Sequence, residues 1–230
     1  RGWQRLGRGE NTIQAKLEQV LSRMIGRELQ VIGSSRTDAG VHALHQVVNF
    51  RVEEQLAADE VKQYLNNYLP QDISVLEVIS VPENFHARFH AKRKTYLYKL
   101  WNRDYPHPFV RKYSMHVPQH LNLSAMREAA QHFLGKHDFA AFSNAQSKKK
   151  TTVREIYSLA IIEDDGFVLV RVCGDGFLHN MVRKMVGALI AVGKGELRPV
   201  DEQTALASGQ RGQVGPMADA CGLYLEKIEI

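Results

Sequence analysis

Gly33-Ser34-Ser35-Arg36-Thr37-Asp38-Ala39-Gly40-Val41-His42-Ala43 joins two apolar, strand-like runs through one short connection that carries an arginine and an aspartate. Asp-x-Gly is turn chemistry, because Asp bonds its own backbone and Gly accepts positive φ. Loops held between rigid strands are also where catalytic groups are mounted. An aspartate two residues from an arginine is readily kept ionised, and an ionised carboxylate serves as a nucleophile or a base. The stretch alone is satisfied by a plain turn, so residues elsewhere decide between the two readings.

Outward from this connection, Leu29–Ser34 forms a short strand candidate. Leu44, Val48, Phe50 and Val52 fall on one face of a longer one, an alternation that Gln46 breaks. Upstream, Asn11-Thr12-Ile13-Gln14 resembles a capping-box start. Ile13, Leu17, Val20, Leu21, Met24 and Ile25 then keep helical spacing as far as Gly26. Downstream, Val61, Tyr64, Leu65 and Tyr68 mark a helix closed by Pro70, and Ile73–Val81 reads as a strand. The second half repeats this grammar. Strands are expected at Thr95–Asn102, Tyr113–Pro118, Glu155–Glu163, Phe167–Cys173 and Gly222–Ile230. Met126–Leu134 and Met181–Val192 read as helices, the first ended by Gly135, and Asp164-Asp165-Gly166 signals a hairpin. Helices alternating irregularly with hairpin-like strands give an α+β chain rather than a doubly wound parallel sheet. Two lobes sharing a continuous sheet are expected, residues 1–84 with the Asp38 loop and 85–230 with the remaining elements.

The 230 residues are 44% hydrophobic, enough for a packed core and too apolar for disorder. No run approaches the length of a membrane span, and no signal-peptide pattern is read, so a cytoplasmic protein is expected. Cys173 and Cys221 read as buried thiols of a reducing compartment rather than a disulfide or zinc site. The net charge is +5, and its distribution matters more than its size. From His86 to His116 there are eight Lys/Arg (Arg88, Lys92, Arg93, Lys94, Lys99, Arg103, Arg111, Lys112) against one acid, Asp104, interleaved with four tyrosines. Lys148-Lys149-Lys150 form a second run. Cations among aromatics suit nucleic acid, with charge for phosphates and rings for bases. A solvated basic surface is the plainer alternative.

Three other patterns are set aside. Gly187–Lys194 has five residues between its glycines, no Ser/Thr after the lysine, and lies at a helix C-terminus, the wrong dipole end for phosphate. His86-x3-His90 lacks both the helix and the glutamate of a metal site. His42 and His45 fall on opposite faces of a strand.

The Gly33–Ala43 stretch resembles the signature of the TruA-type tRNA pseudouridine synthases. The likeness extends in order along the chain. Gly2-Trp3-Gln4 with Thr12-Ile13-Gln14 resembles the family's opening segment. Phe85-His86-Ala87-Arg88 and Lys94-Thr95-Tyr96-Leu97-Tyr98 resemble its centre. Asp138-Phe139, Phe142 and Thr152-Val153-Arg154 resemble its middle section. Gly176–Arg183 and Gly222-Leu223-Tyr224-Leu225 resemble its C-terminal half. The family pattern carries a Tyr-Asp-Gly strand before Gly-Trp-Gln, and the sequence here starts at Arg1. The sequence is either a trimmed version of the pattern or lacks that strand, and only in the second case is one edge of the central sheet incomplete.

The resemblance implies two ferredoxin-like lobes in the α+β class, with a mostly antiparallel sheet, helices on one side and a basic catalytic cleft on the other. It implies isomerisation of uridine to pseudouridine in the anticodon stem-loop of tRNA, at tRNA positions 38–40, with no cofactor and no metal. Asp38 is the implied nucleophile, acting either at uracil C6 or through a sequence centred on the sugar C1′. Arg183 is the implied partner that keeps it ionised, and Tyr96 the implied stacking ring and C5 base. Arg36 is implied to fill the space of the extruded uridine or to hold a neighbouring phosphate. Arg88, Lys92, Arg93, Lys94 and Lys148–Lys150 are the implied backbone contacts. The family works as homodimers, so tRNA and a second copy are the expected partners, with no membrane. A non-catalytic RNA-binding α+β module, needing the basic surface but not Asp38, Tyr96 and Arg183, is the competing class. A synthase of similar fold acting on another RNA is the second alternative.

Overall fold

Along the chain the elements run α1 (Ile13–Ile25), β1 (Ile32–Gly33), β2 (His42–Ala43), β3 (Val48–Asn49), α2 (Ala58–Tyr68), β4 (Arg93–Trp101), β5 (Met115–His116), α3 (Leu123–Gln131), β6 (Gly135–Asp138), β7 (Val153–Asp164), β8 (Phe167–Gly174), α4 (Met181–Gly193), α5 (Pro199–Ser208) and β9 (Leu223–Glu229). The structure is a computed structural model that describes residues 1–4, 11–53, 55–144, 151–209 and 214–230. It is α+β, and its strand pairs are mostly antiparallel, as the sequence predicts. The chain divides into two compact units. The first is Arg1–Gly40, Gln46–Ala91 and Ile230; the second is Val41–His45 and Lys92–Glu229.

In the first unit, Thr12 caps α1 by accepting the Ala15 amide at 3.2 Å, and Gly26 ends it at φ 80°. The next orphan amides of the helix start, Ile13 and Gln14, donate to the carbonyls of Gly2 and Trp3, both at 3.0 Å. The capping is therefore shared by a side chain and a returning backbone segment. Leu17, Val20 and Leu21 of α1 pack with Val61 and Leu65 of α2 around Trp3, Leu29 and Val31. Each such fully buried side chain contributes roughly 1.5–3 kcal/mol.

Strand pairing in this unit is shorter than the apolar runs suggest. β1 and β3 pair antiparallel over two residues each, Ile32 opposite Asn49 and Gly33 opposite Val48. Leu44 does not share the inward face of Val48, since it is 52% exposed and lies in the excursion Val41–His45. Ile73–Val81 has no ladder partner among the described residues. Its Val75 instead bonds to a side chain: Asn66 Nδ2 donates to the Val75 carbonyl at 2.9 Å, and the Val75 amide donates to Asn66 Oδ1 at 2.7 Å. A carboxamide thus stands in for a neighbouring strand.

The second unit carries a sheet of order β2-β9-β4-β8-β7-β6, with β5 also beside β4. β2 pairs parallel with β9 and β5 parallel with β4. The β7–β8 hairpin closes on Asp165 (φ 40°) and Gly166 (φ 83°), the two positive φ values of a type I′ turn. β8 buries Val168, Val170 and Val172 in strict alternation. α4 is buried along almost its whole length, with α3 beside it and α5 beside α3. A side chain on Gly187 would run into the Pro216 carbonyl, so this glycine is there for close approach of segment 214–218.

Candidate active site

Asp38 is half-buried, on a loop whose backbone is tied down residue by residue. Ser34 donates its amide to the Val47 carbonyl at 2.9 Å. Gln46 clamps Ser35 from both sides: its Nε2 donates to the Ser35 carbonyl at 2.8 Å, and its Oε1 accepts the Ser35 amide at 3.3 Å. The Thr37 carbonyl accepts the Trp3 amide at 2.9 Å. A Cβ on Gly2 would stand 3.2 Å from the Ala39 nitrogen and 3.5 Å from the Asp38 carbonyl carbon, so the N-terminal segment lies flat against the loop. The Trp3 ring in turn lies on Gly33, where any side chain would strike it. Gly40 at φ 86° completes the turn. Asp38 is therefore carried by a turn, and that turn is built into the core of its unit.

Arg36 is exposed on the same loop. Partial burial and then the positive charge of Arg88 draw its pKa down from the usual guanidinium value, although it stays a cation. Arg88 is held near by its own neighbour: Ala87 is fully buried, and its amide donates to Asn49 Oδ1 at 2.9 Å. Two guanidinium groups that repel each other are stabilised by a polyanion laid over both.

In the second unit, Tyr96 is 6% exposed and sits where the β4–β9 register slips between Thr95 and Tyr96. Such bulges re-aim side chains. Its ring meets Phe177 edge-on, with centroids 5.1 Å apart. Arg183 stands in the first turn of α4, just after Asn180, which holds a left-handed φ of 63°. It is tied to one residue twice. Arg183 Nε donates to the Ala218 carbonyl at 2.8 Å, and the Ala218 amide donates to the Arg183 carbonyl at 3.1 Å. One residue on, the Asp219 carbonyl accepts the Tyr98 hydroxyl at 2.6 Å. Burial raises the Tyr98 pKa, with the charges of Cys221 and Asp219 adding to it and Arg183 opposing. Burial, and then Asp219, likewise pushes the Cys221 thiol up.

Of the basic residues singled out in the sequence, Lys92 and Arg93 are exposed and Lys94 is half-buried. The Arg93 guanidinium lies 5.1 Å from the centroid of the Tyr157 ring. Lys148, Lys149 and Lys150 lie outside the described residues. Cys173 and Cys221 are half-buried free thiols rather than fully buried ones. Among the described residues no group of three His, Cys, Asp or Glu side chains gathers in metal-binding fashion, and no helix is long and apolar enough to cross a membrane.

Of the residues that hold the site, Trp3 and Tyr98 stand in the sequence only as parts of the family-like motifs, and Asn49 and Ala218 carry no signal there. Gln46 was visible only as a polar interruption in an apolar alternation, and that interruption is where its amide is spent on Ser35.

Comparison with known proteins bears on the whole chain. The pattern of a family described as "tRNA pseudouridine synthase" matches residues 2–90 and 129–229. A Bacillus sp. (strain KSM-64) protein named "tRNA pseudouridine synthase A" is 61% identical over 228 residues, covering 99% of this chain and 93% of that protein. "tRNA pseudouridine synthase A 2" of Bacillus anthracis is 58% identical over 229 residues, covering 100% and 94%. A Thermoanaerobacter sp. (strain X514) relative, named "tRNA pseudouridine synthase A", is 40% identical over 227 residues, covering 99% and 93%. Residues 91–128, with Tyr96 and Lys92–Lys94, fall between the two stretches of the family match but within the span covered by these relatives.

Proposed function

The chain belongs to the tRNA pseudouridine synthase family, and we propose that it converts uridine to pseudouridine in the anticodon stem-loop of tRNA, at tRNA positions 38–40, with Asp38 as nucleophile. It is an isomerase that acts on tRNA. The reaction breaks the N1–C1′ bond, turns the uracil and joins C5 to C1′. C5 loses a proton and N1 gains one, so no redox partner enters the balance.

The observation that carries the assignment of Asp38 is the immobilised loop. A carboxylate on a backbone fixed by Gly2, Trp3 and Gln46 is preorganised, and a positioned nucleophile gains more rate than a flexible one. In this reading Arg183 and Tyr96 act together with Asp38. Arg183 is the guanidinium that keeps the Asp38 carboxylate ionised once RNA excludes water. A planar fork suits that task better than an ammonium. Tyr96 stacks on the uracil and takes the C5 proton. The double tie between Arg183 and Ala218 supports the role of a preset partner. Arg36 and Arg88 hold phosphates beside the extruded uridine, with Lys92, Arg93, Lys94 and Lys148–Lys150 along the tRNA backbone. The proposed working form is a cytoplasmic homodimer that needs no cofactor.

Tritium release from tRNA carrying C5-labelled uridine tests the reaction. Release with the unaltered protein and none with Asp38→Asn is the expected result. Equal release from both removes Asp38 as nucleophile, and no release from either leaves a binding module.

A further inference from the structure

The second unit holds a cavity away from the Asp38 loop. This cavity, of about 140 Å³, is lined by Trp101, His107, Arg111, His116, Asp219 and Cys221, among others. Engineered apolar cavities of about that volume take a single six-membered ring. Trp101 forms an aromatic wall: it is 6% exposed, and its ring meets those of His107 and Phe167 edge-on at centroid distances of 4.8 and 5.0 Å. Its indole nitrogen is already engaged, donating to the Tyr105 carbonyl at 2.8 Å.

The exposed surface carried by the same segment has the opposite character. Phe109 is 88% exposed, with its ring 6.1 Å from that of His107, and Tyr105 and Tyr113 are 57% and 51% exposed. Arg111, which lines the cavity, and its neighbour Lys112 are both exposed. An exposed phenylalanine is a poor surface residue in water but a good platform for a base. Two cations beside it meet the phosphates on either side of that base. A slot for one ring with an exposed aromatic ring and two cations beside it has the make-up of a site for one unstacked nucleotide.

We propose that this cavity is a subsite for an unpaired nucleotide of the tRNA substrate, distinct from the position of the uridine that reacts. The base stacks on Phe109 beside the cavity, while Arg111 and Lys112 hold the adjoining phosphates. Asp219 and Cys221 of its lining follow Ala218, whose carbonyl takes the Arg183 Nε bond. Most of the lining falls between residues 101 and 116, within the stretch that the family match leaves out. The proposal rests on tRNA being the substrate, and its test reads binding rather than turnover, so the two ideas fail separately.

The test measures filter binding of an unmodified tRNA transcript, at several salt concentrations, to unaltered protein, Phe109→Ala, Phe109→Tyr and Arg111→Gln. Both side chains are exposed, so none of these changes removes core packing. The expected result is an affinity loss of about tenfold for Phe109→Ala, the scale of one lost base stack, with recovery in Phe109→Tyr. Arg111→Gln should reduce the slope of log affinity against log salt by about one phosphate contact. Wild-type affinity and slope in Phe109→Ala and Arg111→Gln would overturn the proposal. So would a change confined to oligomeric state in sedimentation, which would assign the surface to a second copy of the chain. Loss of pseudouridine formation by the unaltered protein would refute the proposed reaction and leave the binding result standing.

Discussion

Replacing Gln46 with leucine tests whether the Asp38 loop is held by its surroundings or by its own turn. The glutamine amide makes two bonds to Ser35, one of good length at 2.8 Å and one long at 3.3 Å. The pair is worth about 1–1.5 kcal/mol net, less than two ideal bonds. Ser35 is only 8% exposed, so water does not freely replace the lost partner. Taking the Gln46 donor away from its carbonyl adds about 1 kcal/mol. Leucine fills a similar volume, so little cavity term enters. The expected cost is about 2–2.5 kcal/mol, which for a chain of this size lowers Tm by roughly 5–10 °C. Because Ser35 lies three residues before Asp38, the same change should slow single-turnover pseudouridine formation by about tenfold or more, the scale of a small misplacement of a reacting group. Calorimetry and a quench assay at saturating tRNA read the two effects. A Gln46→Leu protein that melts and turns over like the wild type would refute the argument that this clamp positions Asp38.

Gly33→Ala should destabilise the chain by about 1–3 kcal/mol, since the new methyl group meets the buried Trp3 ring; an unchanged urea midpoint would mean that the ring moves aside freely. Tyr98→Phe removes the 2.6 Å bond to the Asp219 carbonyl and should cost about 1–2 kcal/mol. It should also lower kcat more than it raises KM, because Asp219 follows the residue tied to Arg183; wild-type kinetics would separate Tyr98 from the site. Glu202, 2% exposed, has its carboxyl pushed up to about 8, by burial first and then by Asp201. A raised carboxyl pKa stabilises the fold fully below the unfolded value of about 4.5. That contribution is lost as pH rises toward the folded value, by at most about 1.4 kcal/mol per pH unit. Glu202→Gln should flatten the fall of stability between those limits, and an unaltered pH profile would mean that Glu202 titrates normally.

The parts of the fold legible in the sequence are those in which one pattern decides the outcome alone. α1, α2 and α4 have long helical spacing, and α1 carries its own cap and stop. The β7–β8 hairpin needs an Asp-Gly with two positive φ values, and the sequence offers them in place. The strands of the first unit are less legible because side chains take over backbone bonding there. Gln46 serves Ser35 and Asn66 serves Val75, which leaves β1 and β3 short and Ile73–Val81 unpaired among the described residues. α5 went unseen although Pro199 stands at its first turn and the Asp201 carboxylate accepts the Arg198 amide at 2.8 Å. Its apolar face is too thin to display a period. Asp38, Tyr96 and Arg183 could be named as candidates from their motifs. The residues that fix Asp38 and Arg183 could not, because Trp3 ties the loop through its backbone amide and Ala218 acts through a carbonyl that every residue type carries.

Whether Asp38 makes pseudouridine in the anticodon arm is read by nucleotide-resolved mapping on a tRNA transcript, with the unaltered protein and with Asp38→Asn. Pseudouridine is expected at tRNA positions 38–40 with the unaltered protein, and none with Asp38→Asn under conditions where that variant still binds the transcript. Pseudouridine placed outside the anticodon arm, or formed by Asp38→Asn at the wild-type rate, would contradict that expectation.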